Sequence, residues 1–178
     1  HNNGDETFSE VSSSVGVGGG GTCCWGDYNN DGHLDLYSVA GGGKLYINDG
    51  DGTFTDRSAD IPDNPYASYP RSVACGDFTG DGYLDLYVGN YEDPSLNPYP
   101  DVLYTNDGDG TFTLAWEATG SNIRNARGIA TADYDRDGDI DIYVSNYRLL
   151  ANFLWTNDGS GNLSDQAAST GAIDPGYT

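Results

Sequence analysis

The sequence predicts an all-β chain of β-propeller-type blades, each of four antiparallel strands, with three full repeats plus one leading strand. Three observations predict it. Acidic loops of one pattern begin at Asp27, Asp77 and Asp133, spaced by 50 and 56 residues. Each loop lies between two strand-like runs. An Asn-Asp-Gly turn between two further runs follows each loop in the same order. Four short strands recurring about every 50 residues are the signature of a propeller blade.

The elements follow in chain order. Residues 1–14 hold "NNGDETFSE", a truncated copy of the turn unit, and are expected to form the outer strand of a preceding repeat. Repeat 1 spans 15–64, repeat 2 spans 65–120, and repeat 3 with a tail spans 121–178. Together they make one propeller-type domain or propeller segment. The first strands, "GTCCWGDY", "RSVACGDF" and "RGIATADY", run into the acidic loops. The second strands leave them as "LDLYSVA", "LDLYVGN" and "IDIYVSN". The third and fourth meet in "LYINDGDGTFTD", "LYTNDGDGTFTL" and "LWTNDGSGNLSD". Asn, Asp and Gly tolerate positive φ, which a tight hairpin requires. No segment carries the period of a long amphipathic helix.

Composition narrows the partners. The chain of 178 residues has 28 acidic and seven basic residues, a formal net charge of -21. Phosphate would be repelled, so no nucleic acid and no anionic membrane surface is expected. No apolar run is long enough for a membrane span, so no membrane insertion is expected. Without Met or a signal peptide, and opening on His1, the chain reads as a processed chain or a fragment. The three cysteines, Cys23, Cys24 and Cys75, match no zinc spacing. Cys24 and Cys75 have opposite parity on equivalent strands, hence opposite faces, and neighbouring blades meet by opposite faces. A Cys24–Cys75 bridge and buried free thiols both remain open.

The acidic loops have calcium chemistry. Calcium takes six to eight oxygens, and alternate carboxylates of a tight loop can all turn inward. Side chains serve at positions 1, 3, 5 and 9, and a backbone carbonyl at 7. In the first loop these are Asp27, Asn29, Asp31, the carbonyl of His33, and Asp35. In the second they are Asp77, Thr79, Asp81, the carbonyl of Tyr83, and Asp85. In the third they are Asp133, Asp135, Asp137, the carbonyl of Asp139, and Asp141. Gly32, Gly82 and Gly138 hold the sharp turn at position 6. A strand follows where an EF-hand would enter a helix, which excludes that motif. Magnesium prefers more water, and zinc prefers His or Cys. Three calcium ions are therefore expected in a stabilising role. Thr79 should make the second loop the weakest site, and four ligand-position aspartates should make the third the tightest.

"GDFTGDGYLDLYV", its two partners, and "NDGDGTF" resemble the FG-GAP/VCBS repeats of integrin-α-type propellers. The resemblance covers nearly the whole chain. It implies a calcium-binding, extracellular or cell-surface propeller module and no single activity.

Following the strands, calcium loops and Asn-Asp-Gly turns share one acidic end. The other end gathers Arg71, Arg124, Arg127 and Arg148 with Tyr66, Tyr69, Tyr91, Tyr99 and Tyr147. Tyr and Arg suit recognition surfaces. The competing reading pairs these arginines with Glu92 and Asp93 and uses the tyrosines as blade caps. No nucleophile motif is present, and the obvious carboxylates belong to the metal loops. The expected function is non-enzymatic: a calcium-stabilised module for adhesion or structural self-assembly. The alternative is a segment of a polysaccharide-binding or polysaccharide-cleaving propeller. Expected partners are further blades or copies of the chain, joined head to tail, with an extracellular protein or glycan ligand as the other option. Asn162-Leu163-Ser164 is a glycosylation sequon beside the last Asn-Asp-Gly turn, where exposure is expected.

Overall fold

The computed structural model describes residues 1–18, 21–62, 66, 69–147 and 150–172. Twelve strands form three four-stranded antiparallel sheets. The first holds β1 (Cys23–Gly26), β2 (Asp35–Ser38), β3 (Lys44–Asn48) and β4 (Phe54–Asp56). The second holds β5 (Pro70–Gly76), β6 (Asp85–Asn90), β7 (Val102–Asn106) and β8 (Phe112–Glu117). The third holds β9 (Ala126–Ala132), β10 (Asp141–Asn146), β11 (Phe153–Asn157) and β12 (Leu163–Asp165). Each sheet is a meander in chain order. Two helices of four residues each, α1 (Ser12–Val15) and α2 (Ala167–Thr170), complete the regular structure with short 3-10 turns. Among the described residues no helix is long and apolar enough to cross a membrane.

Local chemistry explains the hairpins. Each β3–β4-type turn places two glycines at positive φ: Gly50 and Gly52, Gly108 and Gly110, Gly159 and Gly161. In the first two, an aspartate closes the turn: Asp51 Oδ1 accepts from Thr53 N–H at 3.0 Å, and Asp109 Oδ1 from Thr111 N–H at 3.0 Å. Residues 1–9 build the same turn, with Asp5 Oδ1 accepting from Thr7 N–H at 3.1 Å and Glu6 at φ 67° in the glycine position. The expected leading strand is not formed, however. Asn2 and Phe8 make one isolated bridge, and the segment joins none of the three sheets. Turn chemistry alone does not make a sheet strand; it needs a neighbour to fill its ladder, and Phe8 is left 76% exposed.

The sheets stack face to face. β1 packs on β5, and β5 on β9. Between sheets one and two lie Tyr28, Tyr37 and Leu45 against Leu86, Val88, Tyr104 and Phe112. Between sheets two and three lie Phe78, Tyr87 and Leu103 against Ile142, Val144, Phe153 and Trp155. Fully burying such a side chain is worth roughly 1.5–3 kcal/mol, so these two interfaces hold the molecule together. A knob-and-hole contact sets their spacing. A Cβ on Gly26 would meet Leu84 Cδ1 at 2.7 Å, and one on Gly76 would meet Ile140 Cδ1 at 3.4 Å. The equivalent position in the third sheet is Ala132, against which no sheet of the described residues packs.

A polar joint repeats at each interface. Asn106 Nδ2 donates to Tyr28 O at 2.8 Å, and Asn157 Nδ2 donates to Phe78 O at 2.8 Å. In each case the last residue of a third strand reaches the acidic loop of the preceding sheet. Both asparagines also donate within their own sheet, to Leu84 O and Ile140 O at 3.2 Å; Asn48, the equivalent residue of the first sheet, makes only this second bond among the described residues, to Leu34 O at 3.1 Å. Cys24 and Cys75 add a covalent tie across the first interface, with Cα atoms 6.2 Å apart. Cys23 is free and exposed.

Two stability predictions follow from these joints. Replacing Cys24 and Cys75 by serine opens a crosslink spanning 51 residues, for which loop entropy predicts a loss of roughly 4 kcal/mol, read by denaturant unfolding. Asn106→Ala should cost about 1–3 kcal/mol, because it leaves buried carbonyls without their donor. Asn48→Ala, at the half-buried equivalent that reaches no preceding sheet, should cost less, under about 1 kcal/mol. Equal losses in the two asparagine variants would remove the joint as a stabilising element.

Candidate functional site

The three acidic loops are built on one plan. The ninth-position aspartates open the second strands and are buried: Asp35 and Asp85 are fully enclosed, and Asp141 nearly so. Each uses both oxygens. Asp35 accepts from Tyr28 N–H and Asn48 N–H, both at 2.8 Å. Asp85 accepts from Phe78 N–H at 2.8 Å and Asn106 N–H at 2.9 Å. Asp141 accepts from Tyr134 N–H at 3.1 Å and Asn157 N–H at 3.0 Å. One carboxylate thus ties the start of the loop to the hairpin turn of the same sheet. This confirms that loops and turns share one end. The seventh-position side chains lie over the same turns: a Cβ on Gly50, Gly108 or Gly159 would collide with His33, Tyr83 or Asp139 respectively.

The first-position aspartates organise the loop backbone. Asp27 accepts from Asp31 N–H at 3.0 Å and Gly32 N–H at 2.9 Å. Asp77 repeats this with Asp81 N–H at 3.1 Å and Gly82 N–H at 2.9 Å. The fifth-position carboxylates accept from position 7: Asp31 from His33 N–H at 2.8 Å, Asp81 from Tyr83 N–H at 2.9 Å, and Asp137 from Asp139 N–H at 3.0 Å. At position 3, Asn29 accepts from Asp31 N–H at 3.1 Å, and Asp135 accepts from Asp137 N–H at 3.3 Å. Thr79 instead donates its hydroxyl to Asp85 at 3.4 Å. In the third loop, carboxylate oxygens of Asp133, Asp135 and Asp141 come within 4.8 Å of one another. Among the described residues this approach of carboxylates is made by positions 1, 3 and 9 of the third loop; in the first two loops the carboxylates at positions 1 and 5 accept from loop N–H groups, and the side chain of Asp139 turns to the hairpin.

The electrostatics fit a cation. Burial raises the Asp35 carboxyl above its usual range, and burial pushes Asp85 up to about 6, against the lowering effect of its two N–H donors. Burial and the neighbouring carboxylate of Asp137 raise Asp135 and Asp139 as well. A divalent ion among such oxygens would offset this like-charge crowding. Its ligands would be the side chains at positions 1, 3, 5 and 9. It would supply charge neutralisation and fix the loop.

Sequence reasoning missed two features. The Asn-Asp-Gly asparagine was read only as turn chemistry, although its fixed place at the end of every third strand was a signal. At the opposite end, Arg71 and Arg127 stack on tyrosines and pair with neither Glu92 nor Asp93. Arg71 Cζ lies 5.2 Å from the Tyr91 ring centroid, and Arg127 Cζ lies 4.6 Å from Tyr91 and 4.3 Å from Tyr147. Arg124 covers Phe153 at 4.1 Å and donates to Ala151 O. Arg148 lies outside the described residues.

Comparison with known proteins identifies the repeat family. A family model of FG-GAP-like repeats matches residues 27–88 and 95–144, more than half of the chain. Cartilage acidic protein 1 of Mus musculus is 35% identical over 114 residues, which is 59% of this chain and 17% of that protein. The Homo sapiens protein of the same name is 31% identical over 108 residues, 57% of this chain and 15% of that protein. The chain thus spans under a fifth of the length of these relatives. A crystal structure from Bifidobacterium bifidum s17, described as an exo-beta-1,3-galactanase, superposes with a TM-score of 0.57 at 13% identity. It covers 84% of this chain and 52% of that one. At this identity the likeness is one of fold.

The position-3 residues set an expected order among the loops, with Thr79 making the second the weakest. Thr79→Asp adds a carboxylate at position 3 of the second loop and should tighten calcium binding there by tenfold or more, as an added ligand charge does in calcium loops. Titration calorimetry on the variant would show it; an unchanged binding curve would refute the ranking.

Proposed function

The chain belongs to the FG-GAP-like repeat family, and from that premise we propose that it is a calcium-stabilised extracellular module for adhesion or structural assembly. Its three sheets are consecutive blades of a propeller-type stack that further blades or further copies continue. One observation carries this reading. The second residues of the first two acidic loops, Tyr28 and Phe78, are 0% exposed, sealed by the next sheet and bonded through their carbonyls to its asparagine. Tyr134, their counterpart in the third sheet, is 41% exposed. It heads an apolar face with Ala130, Tyr143 and Leu154 around a cavity of about 100 Å³. That face repeats the surface that the two occupied interfaces bury. A soluble protein rarely leaves such a face bare.

The exposed Tyr134 favours association through the sheet face over a head-to-tail contact between the two ends. Calcium would hold the loops from which each interface is built. The extracellular reading rests on the Cys24–Cys75 disulfide and on the family. The reading is non-catalytic because the carboxylates with displaced acidity at the loops are committed to structure and to the cation.

The test combines chelation with a mass measurement. Chelating calcium should lower the melting temperature by many degrees, since saturation at 100-fold the dissociation constant is worth about 2.7 kcal/mol per site. Light scattering with calcium should show concentration-dependent association that Tyr134→Asp weakens. An unchanged melting curve in chelator, or a stable monomer at every concentration, contradicts the proposal.

A further inference from the structure

We propose that the cleft beside Arg71 and Tyr91, at the end opposite the acidic loops, binds an anionic saccharide. The cleft has a volume of about 280 Å³ and is lined by Tyr69, Arg71, Tyr91, Glu92, Asp93 and Leu96 among others. That is close to the lower bound of roughly 300 Å³ for small-molecule sites.

Two cations share one ring there. Tyr91 is buried, with Arg71 and Arg127 both on its ring and Arg127 Nη2 donating to its hydroxyl at 3.2 Å. Among the described residues neither arginine forms an ion pair. The nearby acids are committed elsewhere. Glu92 accepts from Asn125 Nδ2 at 2.7 Å in the interior. Asp93 closes its own turn by accepting from Ser95 N–H, Asn97 N–H and Asn97 Nδ2. Both guanidinium groups are exposed, and their donor forks suit a carboxylate or a sulfate. Keeping two of seven cations side by side costs repulsion that a bound anion would offset.

The saccharide assignment comes from the aromatic rings: Tyr69 and Tyr91 line the cleft, and Tyr99 and Tyr66 stack in turn on Tyr69 outside it. Tyr66, Tyr99 and Tyr69 form a continuous stack with centroids 5.2 Å apart at each step. Tyr147, 44% exposed, extends the ring surface beyond Arg127. Flat rings beside guanidinium forks match a sugar that has an apolar C–H face and an acidic substituent. Backbone bonds hold the rings ready: Tyr91 N–H to Tyr69 O and Tyr99 N–H to Tyr91 O, both 2.9 Å. Since the chain as a whole is strongly acidic, binding depends on these short contacts and not on long-range attraction.

Titration calorimetry on the full, calcium-saturated chain tests this. The probes are an oligogalacturonate trimer, a chondroitin sulfate oligosaccharide, a neutral galacto-oligosaccharide and an aspartate-rich peptide. At least one anionic saccharide should bind saturably, and which one binds identifies carboxylate or sulfate as the anion. The neutral sugar should bind at least tenfold more weakly. Arg71→Gln and Arg127→Lys should each weaken binding at least tenfold with the melting temperature unchanged, the latter because lysine lacks the planar fork. Arg57→Gln, a surface arginine paired with Asp60, should bind as the parent does. Binding of neither anionic sugar, capture of the peptide alone, or unchanged affinity in folded Arg71 and Arg127 variants would overturn the proposal.

Discussion

A buried aspartate at the start of each second strand is the constraint on which the rest depends. Asp35, Asp85 and Asp141 each spend one oxygen on the acidic loop and the other on the hairpin turn. Burying an ionised carboxylate is costly unless donors or a cation compensate it. Here two backbone N–H groups do part of that work, and a cation among the neighbouring loop oxygens would do the rest. The same carboxylate fixes the asparagine whose side chain reaches the preceding sheet. Loop, turn and interface are therefore one unit, repeated three times.

The stack shows how such units add. The second sheet offers Leu86, Val88, Tyr104 and Phe112 to the sheet before it and Phe78, Tyr87 and Leu103 to the sheet after it, so it fits between two neighbours. The first sheet receives residues 11–18 on its outer side, where Tyr46 hydroxyl donates to Gly18 O at 2.9 Å and Gly18 N–H donates back at 3.2 Å. Trp25 and Leu34 nevertheless stay exposed there. The two ends of the stack are thus unlike its interior, which is where a repeat architecture meets whatever continues or caps it.

Much of this was legible in the sequence because the decisive chemistry is local. Alternating strands, positive-φ turns and evenly spaced loop aspartates are settled within about ten residues. The twelve strands fall where the runs around "GDF", "LDLY" and "NDG" put them. What escaped the sequence is long-range or competitive. Asn106 and Asn157 bridge to carbonyls 78 and 79 residues away, which no local pattern reveals. The leading hairpin has the right turn residues and lacks a partner strand. Glu92 and Asp93 fall at the same end of the strands as the arginines, yet amide donors from Asn125, Ser95 and Asn97 occupy them, and Arg71 and Arg127 stack on tyrosine. Parity allowed the Cys24–Cys75 bridge, and only the packing of β1 on β5 made it.

The central claim is that the ninth-position aspartate holds loop and turn as one cooperative unit, which a cation bound among the loop oxygens would strengthen. Backbone hydrogen exchange, residue by residue, tests it most directly. The amides of Tyr28 and Asn48, of Phe78 and Asn106, and of Tyr134 and Asn157 should exchange slowly and at matched rates within each pair when calcium is present. On chelation each pair should lose protection together. Unmatched rates within the pairs, or protection indifferent to calcium, would contradict it.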